Sequence, residues 1–299
     1  MDELLSVASM QEQLLNMSSP LAALDLPLLD AHGASLASDL LVDEKLVIKS
    51  GQRIDSTQIA LAASLGLDRL PCRPQPRVVI ISAGDDLVEP GSKLADEEDE
   101  YESNSWFLTT FVREAGAHAF RVHTIPETQD QLKLIVEDQL VRADLIVISG
   151  ESKDESFDLI NSVLSKLGEL KIVTPNLAES SKHSYGVIGP DKTPVVVLPG
   201  DPIGNYLSAE LFIRPMIIKM LTGAISDRIT KKVKLSKALS SESGKVQFLR
   251  GFLNENGEVS ALADQDSLIT LSMANCLIEI NEKIEKLSAG DQVNILMVN

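Results

Sequence analysis

Apolar residues recur with two different periods along this chain, and the changes of period divide it into three stretches. In the first, Leu4 to Met17 carries apolar positions at helical spacing and Ser18-Ser19-Pro20 ends the run. Leu24 to Leu29 reads as a short strand, Leu36 to Val42 as a helix or strand, and Leu46 to Gly51 as a strand with a turn. Asp55-Ser56-Thr57 offers a cap for a helix from Gln58 to Leu65, closed by Gly66. Pro71, Pro74 and Pro76 then crowd together, and this cluster sets a first boundary after residue 75.

From Arg77 onward strands and helices alternate. Val78 to Ser82, Ala119 to His123, Leu145 to Ser149 and Lys171 to Thr174 read as strands; Ser105 to Ala115, Gln129 to Gln139 and Phe157 to Leu167 read as helices. Val195 to Leu198 is an unbroken aliphatic run, the composition of a strand covered on both faces. Pro199 stops it, Gly200 permits close approach of a ligand, and Pro202 suits the first turn of a long helix reaching Leu221. This order predicts a mostly parallel sheet with helices on both faces. The loop 199–202 then lies at a strand's carboxyl end, with helix N–H groups facing the crevice where such sheets bind ligands. The competing reading is an ordinary strand-to-helix turn.

After Thr222-Gly223 the texture becomes short strands around 233–235, 247–250, 258–262, 276–280 and 293–297, separated by Gly or Asn turns. The expected class is therefore α/β: an N-terminal α+β segment over 1–75, an α/β domain over 76–223, and a small C-terminal β-barrel-like domain over 224–299.

Composition narrows the function. The net charge of −17 and the 4% aromatic content argue against nucleic acid and anionic membrane surfaces. No stretch approaches the roughly 20 apolar residues of a membrane span, and no basic segment precedes an apolar one at Met1, so a cytoplasmic protein is expected. The acidic run from Asp96 to Glu102 reads as a solvated loop, with docking of a basic partner as the alternative. Cys72 and Cys276 read as reduced, packed thiols, and neither they nor the four histidines have metal-ligand spacing. Trp106, Tyr206 and Phe212 read as core. No nucleophile elbow, P-loop or dinucleotide fingerprint is present.

The chain resembles the MoeA family, which includes the gephyrin E domain. Ser82-Ala83-Gly84-Asp85-Asp86-Leu87 is similar to the family's Ser-Thr-Gly-Asp-Glu-Leu, Tyr101-Glu102-Ser103-Asn104 to Tyr-Asp-Ser/Thr-Asn, and Pro199-Gly200-Asp201-Pro202 to Pro-Gly-Asn-Pro. Phe248-Leu249-Arg250-Gly251, Gln265-Asp266-Ser267 and Ser272-Met273-Ala274-Asn275-Cys276 resemble Phe-x-Arg-Gly, Gln-Gly-Ser and Ser-Leu-Gly-Asn-Cys. The order of these anchors implies a MogA-like central domain, a role in molybdenum cofactor biosynthesis, and a homodimer. There are also departures. The domain that the family inserts after Val42 is missing, because Val42-Asp43-Glu44-Lys45 joins the flanking halves directly. The Gly-Gly-Val-Ser-Val-Gly loop is replaced by Gly150-Glu151-Ser152-Lys153-Asp154-Glu155, the Lys-Pro-Gly-Lys-Pro segment by Ala178-Glu179-Ser180-Ser181-Lys182, and an Asp-Asp pair by Pro126-Glu127.

By this resemblance Ser82, Gly84, Asp85, Ser103, Asn104, Gly150, Lys182, Pro199, Gly200, Asp201, Pro202, Arg250 and Ser267 are candidate contacts to a molybdopterin-type ligand. Asp86 and Asp158 are candidate catalytic groups that could hold Mg²⁺ beside a phosphate. Other readings stay open: Asp85 and Asp86 capping a turn, Asp158 capping a helix from Leu159, and Arg250 on a strand surface. Glu151, Glu179 and Asp201 bring negative charge to a site meant for an anion, and Lys182 replaces a lysine pair. Two functions are therefore expected in competition: a degenerate member kept as a dimeric scaffold for a protein partner, and an active molybdopterin molybdenumtransferase.

Overall fold

The computed structural model describes residues 3–84, 86–97, 99–124, 128–150, 154–178, 181–225, 228–242 and 244–298. Its centre is a seven-stranded sheet ordered Glu3–Leu5, Gly168–Pro175, His183–Ile188, Thr193–Leu198, Leu145–Ser149, Arg77–Ala83, His118–Thr124. All neighbours run parallel except His183–Ile188, which is antiparallel to both of its neighbours. The aliphatic runs are continuous because the two faces of each central strand lie in different cores. Val78, Ile80, Val147, Val196 and Leu198 pack with Met10, Leu14, Phe111, Phe212 and Met216. Val79, Ile81, Ile148, Val195 and Val197 pack with Leu132, Val136, Ile160 and Leu164. This is the mostly parallel, doubly covered sheet that the sequence predicts.

Several boundaries differ from expectation. The first helix is shorter, Val7–Met17, because residues 3–5 leave the helical path to pair with the sheet edge. The strand His183–Ile188 carries too few β-branched residues to be legible. Its Gly186 is required by close backbone approach, since a Cβ there would lie 1.9 Å from the Glu169 carbonyl oxygen. Helix Asp154–Leu164 starts ahead of the expected Phe157. The long helix after Pro202 widens into a π-type turn over Ala209–Ile213 before continuing as Arg214–Thr222.

The N-terminal segment packs Leu36, Ile48, Ile54, Leu70 and Cys72 beneath a helix, Ser56–Ser64, whose Asp55 and Gln58 form a reciprocal capping box. Pro71 lies within the strand Arg69–Arg73 rather than after it. The region 36–42 resolves as two strands, Ser35–Leu36 and Leu40–Val42. The C-terminal strands Thr230–Leu235, Glu258–Ala261, Gln247–Leu253, Cys276–Ile280 and Gln292–Met297 close into a barrel. Leu249, Val259, Cys276, Ile278 and Ile295 fill it, while Phe248 and Leu277 point outward into the α/β core and dock the barrel there. Burial pushes the Cys72 and Cys276 thiols up to about 11, which keeps them protonated and unreactive. Among the described residues no helix is long and apolar enough to cross a membrane.

Strands Leu40–Val42 and Lys45–Ile48 are joined by Asp43 and Glu44, both at positive φ (48° and 64°). This tight turn favours Asn-Gly, and a side chain in the left-handed region costs about 1–2 kcal/mol. Glu44→Gly is therefore expected to stabilise the protein by about 1 kcal/mol. Thermal denaturation checks this; an unchanged or lowered midpoint counts against the strained turn.

Candidate active-site crevice

The parallel strands end in a row of buried side chains. Ser149 lies opposite Ser82 on one neighbour and opposite Leu198 on the other. Its hydroxyl oxygen accepts from Asn104 Nδ2 at 3.1 Å and from Asn205 Nδ2 at 3.0 Å. The same two amides also donate to the carbonyls of Gly200 (2.6 Å) and Pro199 (3.0 Å). One serine thereby ties two helix starts to the loop between them, and the Pro199-Gly200-Asp201-Pro202 turn is held at both carbonyls. Asp201 is the N-cap of helix Pro202–Ser208, its carboxylate accepting from the Gly204 amide at 2.6 Å. Ser82 Oγ and Asn205 Oδ1 are buried beside this knot with no hydrogen-bond partner among the described residues. An unsatisfied buried polar atom costs about 1–3 kcal/mol. Both atoms fit a polar ligand entering the crevice.

The start of helix Asn104–Glu114 is capped by Glu102, not by Ser103, whose side chain makes no cap bond. Glu102 is 1% exposed and accepts from the Ser105 amide (2.7 Å), Ser105 Oγ (2.5 Å) and Arg121 Nη2 (3.1 Å). The acidic run thus does not end as a solvated loop, because Arg121 compensates the buried charge. Arg121 also pairs with Glu89 at 2.7 Å and lies over the Trp106 ring at 4.5 Å. Trp106 is 50% exposed rather than core, while Tyr206 and Phe212 are buried as expected.

The carboxylates expected to act together are less closely organised. Asp86 is half-buried after strand Arg77–Ala83, and its carbonyl accepts from the Glu100 amide at 2.9 Å. Asp158 is exposed in the second turn of helix Asp154–Leu164 and so does not cap it. No group of three or more His, Cys, Asp or Glu that could hold a metal occurs among the described residues. Mg²⁺ is commonly held by one or two carboxylates together with a ligand's phosphates, and Asp86 and Asp158 are the carboxylates that would hold it there. Gly84 and Gly150 are buried at strand ends; a Cβ at Gly150 would meet Ile160 Cδ1 at 3.1 Å, so glycine there serves helix packing. Lys182 is half-buried just before strand His183–Ile188. Asp85, Pro126, Glu127, Glu151, Ser152, Lys153, Glu179 and Ser180 lie outside the described residues.

From the barrel, Arg250 is neither a surface arginine nor a cation open to the cleft. It is fully buried, donating from Nη1 to the Phe248 carbonyl at 3.1 Å and from Nη2 to the Gln265 carbonyl. Gln265 in turn accepts from the Arg250 amide at 2.7 Å. Ser267 caps the short helix Leu268–Met273 through the Ile269 amide, an element the sequence reading lacked. This braced loop carries Asp266 to within electrostatic reach of Asp201. Burial raises the Asp201 carboxyl above the ordinary range, the Gly204 amide pulls it partly back, and Asp266 raises it further.

His183, also absent from the sequence reading of the site, is fully buried. Its Nε2 contacts Ser208 Oγ at 2.7 Å, and Ser208 donates to the Gly204 carbonyl at 2.6 Å within the helix that Asp201 caps. Burial lowers this imidazole to about 4.

Sequence comparison places these features in a lineage. Residues 79–219 match the model described as a probable molybdopterin binding domain, and residues 232–298 match the MoeA C-terminal region, domain IV. The chain belongs to the MoeA family. Molybdopterin molybdenumtransferase 1 of Mycobacterium tuberculosis is 30% identical over 84% of this chain and 61% of its own length. Molybdopterin molybdenumtransferase 2 of the same organism is 32% identical over 83% of this chain and 63% of its own length. The chain thus spans less than two thirds of these relatives. A molybdopterin biosynthesis MoeA protein from Pyrococcus horikoshii shares the fold, with a TM-score of 0.84 at 18% identity, covering 99% of this chain and 100% of that one.

Within this MoeA-family frame, Asp201 is the departure with the clearest geometry, because a charged cap stands where the family pattern carries neutral Asn. Since its folded pKa is raised, the ionised carboxylate destabilises the protein above that pKa, and the penalty disappears as pH falls below the unfolded value. Asp201→Asn keeps the cap and is expected to raise the melting midpoint at pH 7, with the difference closing toward pH 4. An equal or lower midpoint at pH 7 would contradict the strain assigned to this carboxylate. His183 has the opposite sign of consequence at low pH. Its lowered pKa gives stability that is present above about 6.5 and lost between there and about 4, on the order of 3 kcal/mol. His183→Gln should flatten that part of the stability profile in urea titrations at stepped pH; an unchanged slope excludes the imidazole as its source.

Proposed function

We propose that this chain is a MoeA-like protein of molybdenum cofactor biosynthesis whose molybdopterin-type crevice is degenerate. In this reading catalysis is lost or impaired, and the dimeric fold is kept as a cytoplasmic scaffold for a protein partner. The observation that carries the reading is the half-buried Asp201 carboxylate that caps the helix after the loop 199–202, with Asp266 within electrostatic reach. A helix start attracts phosphate through its free amides and dipole, and a carboxylate cap spends one of those amides on itself while repelling the incoming charge. Two unit charges about 4 Å apart interact by roughly 4 kcal/mol at an effective dielectric near 20, enough to offset one charge-assisted contact. The hairpin at Asp43-Glu44 supports absence of the family's inserted domain, and the chain is read as three parts, 1–75, 76–223 and 224–299, a division in keeping with the matches to 79–219 and 232–298.

A second reading rests on a different observation. The buried, unpaired Ser82 Oγ and Asn205 Oδ1 keep the polar frame of a ligand site, which favours an active enzyme inserting molybdate into adenylated molybdopterin with Mg²⁺. In that reading Asp86 and Asp158 assist at the ligand phosphate.

Calorimetric titration with adenylated molybdopterin and Mg²⁺ separates the two. The degenerate reading expects no saturable heat with the wild-type chain and a gain of at least tenfold in affinity with Asp201→Asn. Micromolar binding by the wild type, weakened by Asp158→Ala, would install the enzyme reading instead. The dimer is a separate expectation: light scattering at micromolar concentration should give twice the chain mass, and a monomer mass rejects it.

A further inference from the structure

Away from the crevice, a cavity of about 380 Å³ opens between the start of helix Val7–Met17, the π-type turn and the barrel. Two arginines line it and are treated very differently. Arg228 is forked onto the almost fully buried Glu210, with bonds of 3.0 and 2.5 Å, so this carboxylate is consumed. Arg214, one residue beyond the π-type turn, is half-buried, and among the described residues its guanidinium makes no hydrogen bond or ion pair. Five N–H donors in a half-buried place without an acceptor carry a desolvation cost that a planar anion can relieve.

The other charges around Arg214 decide what kind of anion. Glu210 is already paired, and Glu114 and Arg53 act on Arg214 only through their fields, with opposite sign. Glu279 and Glu282 line the barrel wall of the cavity, with Glu279 accepting from Asn294 at 3.4 Å. Two carboxylates on that wall disfavour a dianion such as phosphate. Leu211, Val246, Phe248 and Leu296 form an apolar stretch of the wall, beside the neutral polar side chains of Ser6, Gln11 and Thr230. The cavity thus offers a fork for one negative charge beside a surface for a hydrocarbon body.

We propose that this inter-domain cavity binds a small monocarboxylate, its carboxylate forked by Arg214 and its apolar body against Val246 and Phe248. Val7 and Ala8, in the first helical turn at the cavity edge, carry amides without intrahelical partners and add a weak field of the same sign. The site is independent of the molybdopterin-type crevice, so failure of either reading leaves the other standing.

The test uses the full chain with hexanoate as probe and inorganic phosphate at equal ionic strength as comparison, followed by amide chemical shifts and calorimetry. Hexanoate should bind saturably, shift the amides of Val7, Ala8 and Thr230, and bind at least tenfold more weakly to Arg214→Gln. Phosphate should bind at least tenfold more weakly than hexanoate. Arg214→Lys, which keeps the charge but loses the fork, should fall between wild type and Arg214→Gln, and it serves alone if the glutamine variant does not fold. Absence of saturable hexanoate binding, preference for phosphate, or equal binding by the variants overturns the proposal.

Discussion

The crevice depends on the hydroxyl of Ser149. A serine oxygen has two acceptor positions, and here both are taken by asparagine amides from different helices, each of which spends its second N–H on the loop 199–200. Four bonds of 2.6 to 3.1 Å thus fix two helix N-termini and one loop relative to a buried strand end. The parallel sheet supplies the rigid base, because both faces of its central strands are closed by separate cores. Nothing in this arrangement needs a ligand to hold its shape, so the amide-rich rim is preorganised and binding would not have to order it.

What that rim can hold is then decided by charge. Arg250, wholly inside the barrel, fixes the Gln265 loop through backbone carbonyls, and the loop delivers Asp266 toward Asp201. The barrel is itself seated by Phe248 and Leu277 in the α/β core. Packing far from the crevice therefore sets the electrostatics at its mouth. The family match shows the lineage of this architecture, and the carboxylate pair is the reason for assigning it a weakened anion site.

Most of the architecture was legible because buried parallel strands must be aliphatic throughout: Val78–Ile81, Leu145–Ile148 and Val195–Leu198 could be little else. The Asp55 cap and the barrel strands were legible for similarly local reasons. His183–Ile188 was not, because its fit depends on Gly186 meeting the Glu169 carbonyl, a contact between segments. The site was legible as a location and less so as chemistry. Asn104, Gly200 and Asp201 stood in recognisable motifs, whereas Glu102 became a buried cap only because Arg121 arrives from the next strand. Arg250 and Trp106 were misjudged for the same reason: burial of a single side chain is set by partners distant in sequence. His183 carried no local signal at all.

The most direct measurement is the titration of the Asp201 carboxyl by carbon-detected NMR, in the wild type and in Asp266→Asn. The account predicts a midpoint above the ordinary aspartate value of about 3.9, moving downward when Asp266 is neutralised. A midpoint at or below 3.9, or one indifferent to residue 266, would mean that the loop carries its charge without strain, and the case for a weakened anion site would fall.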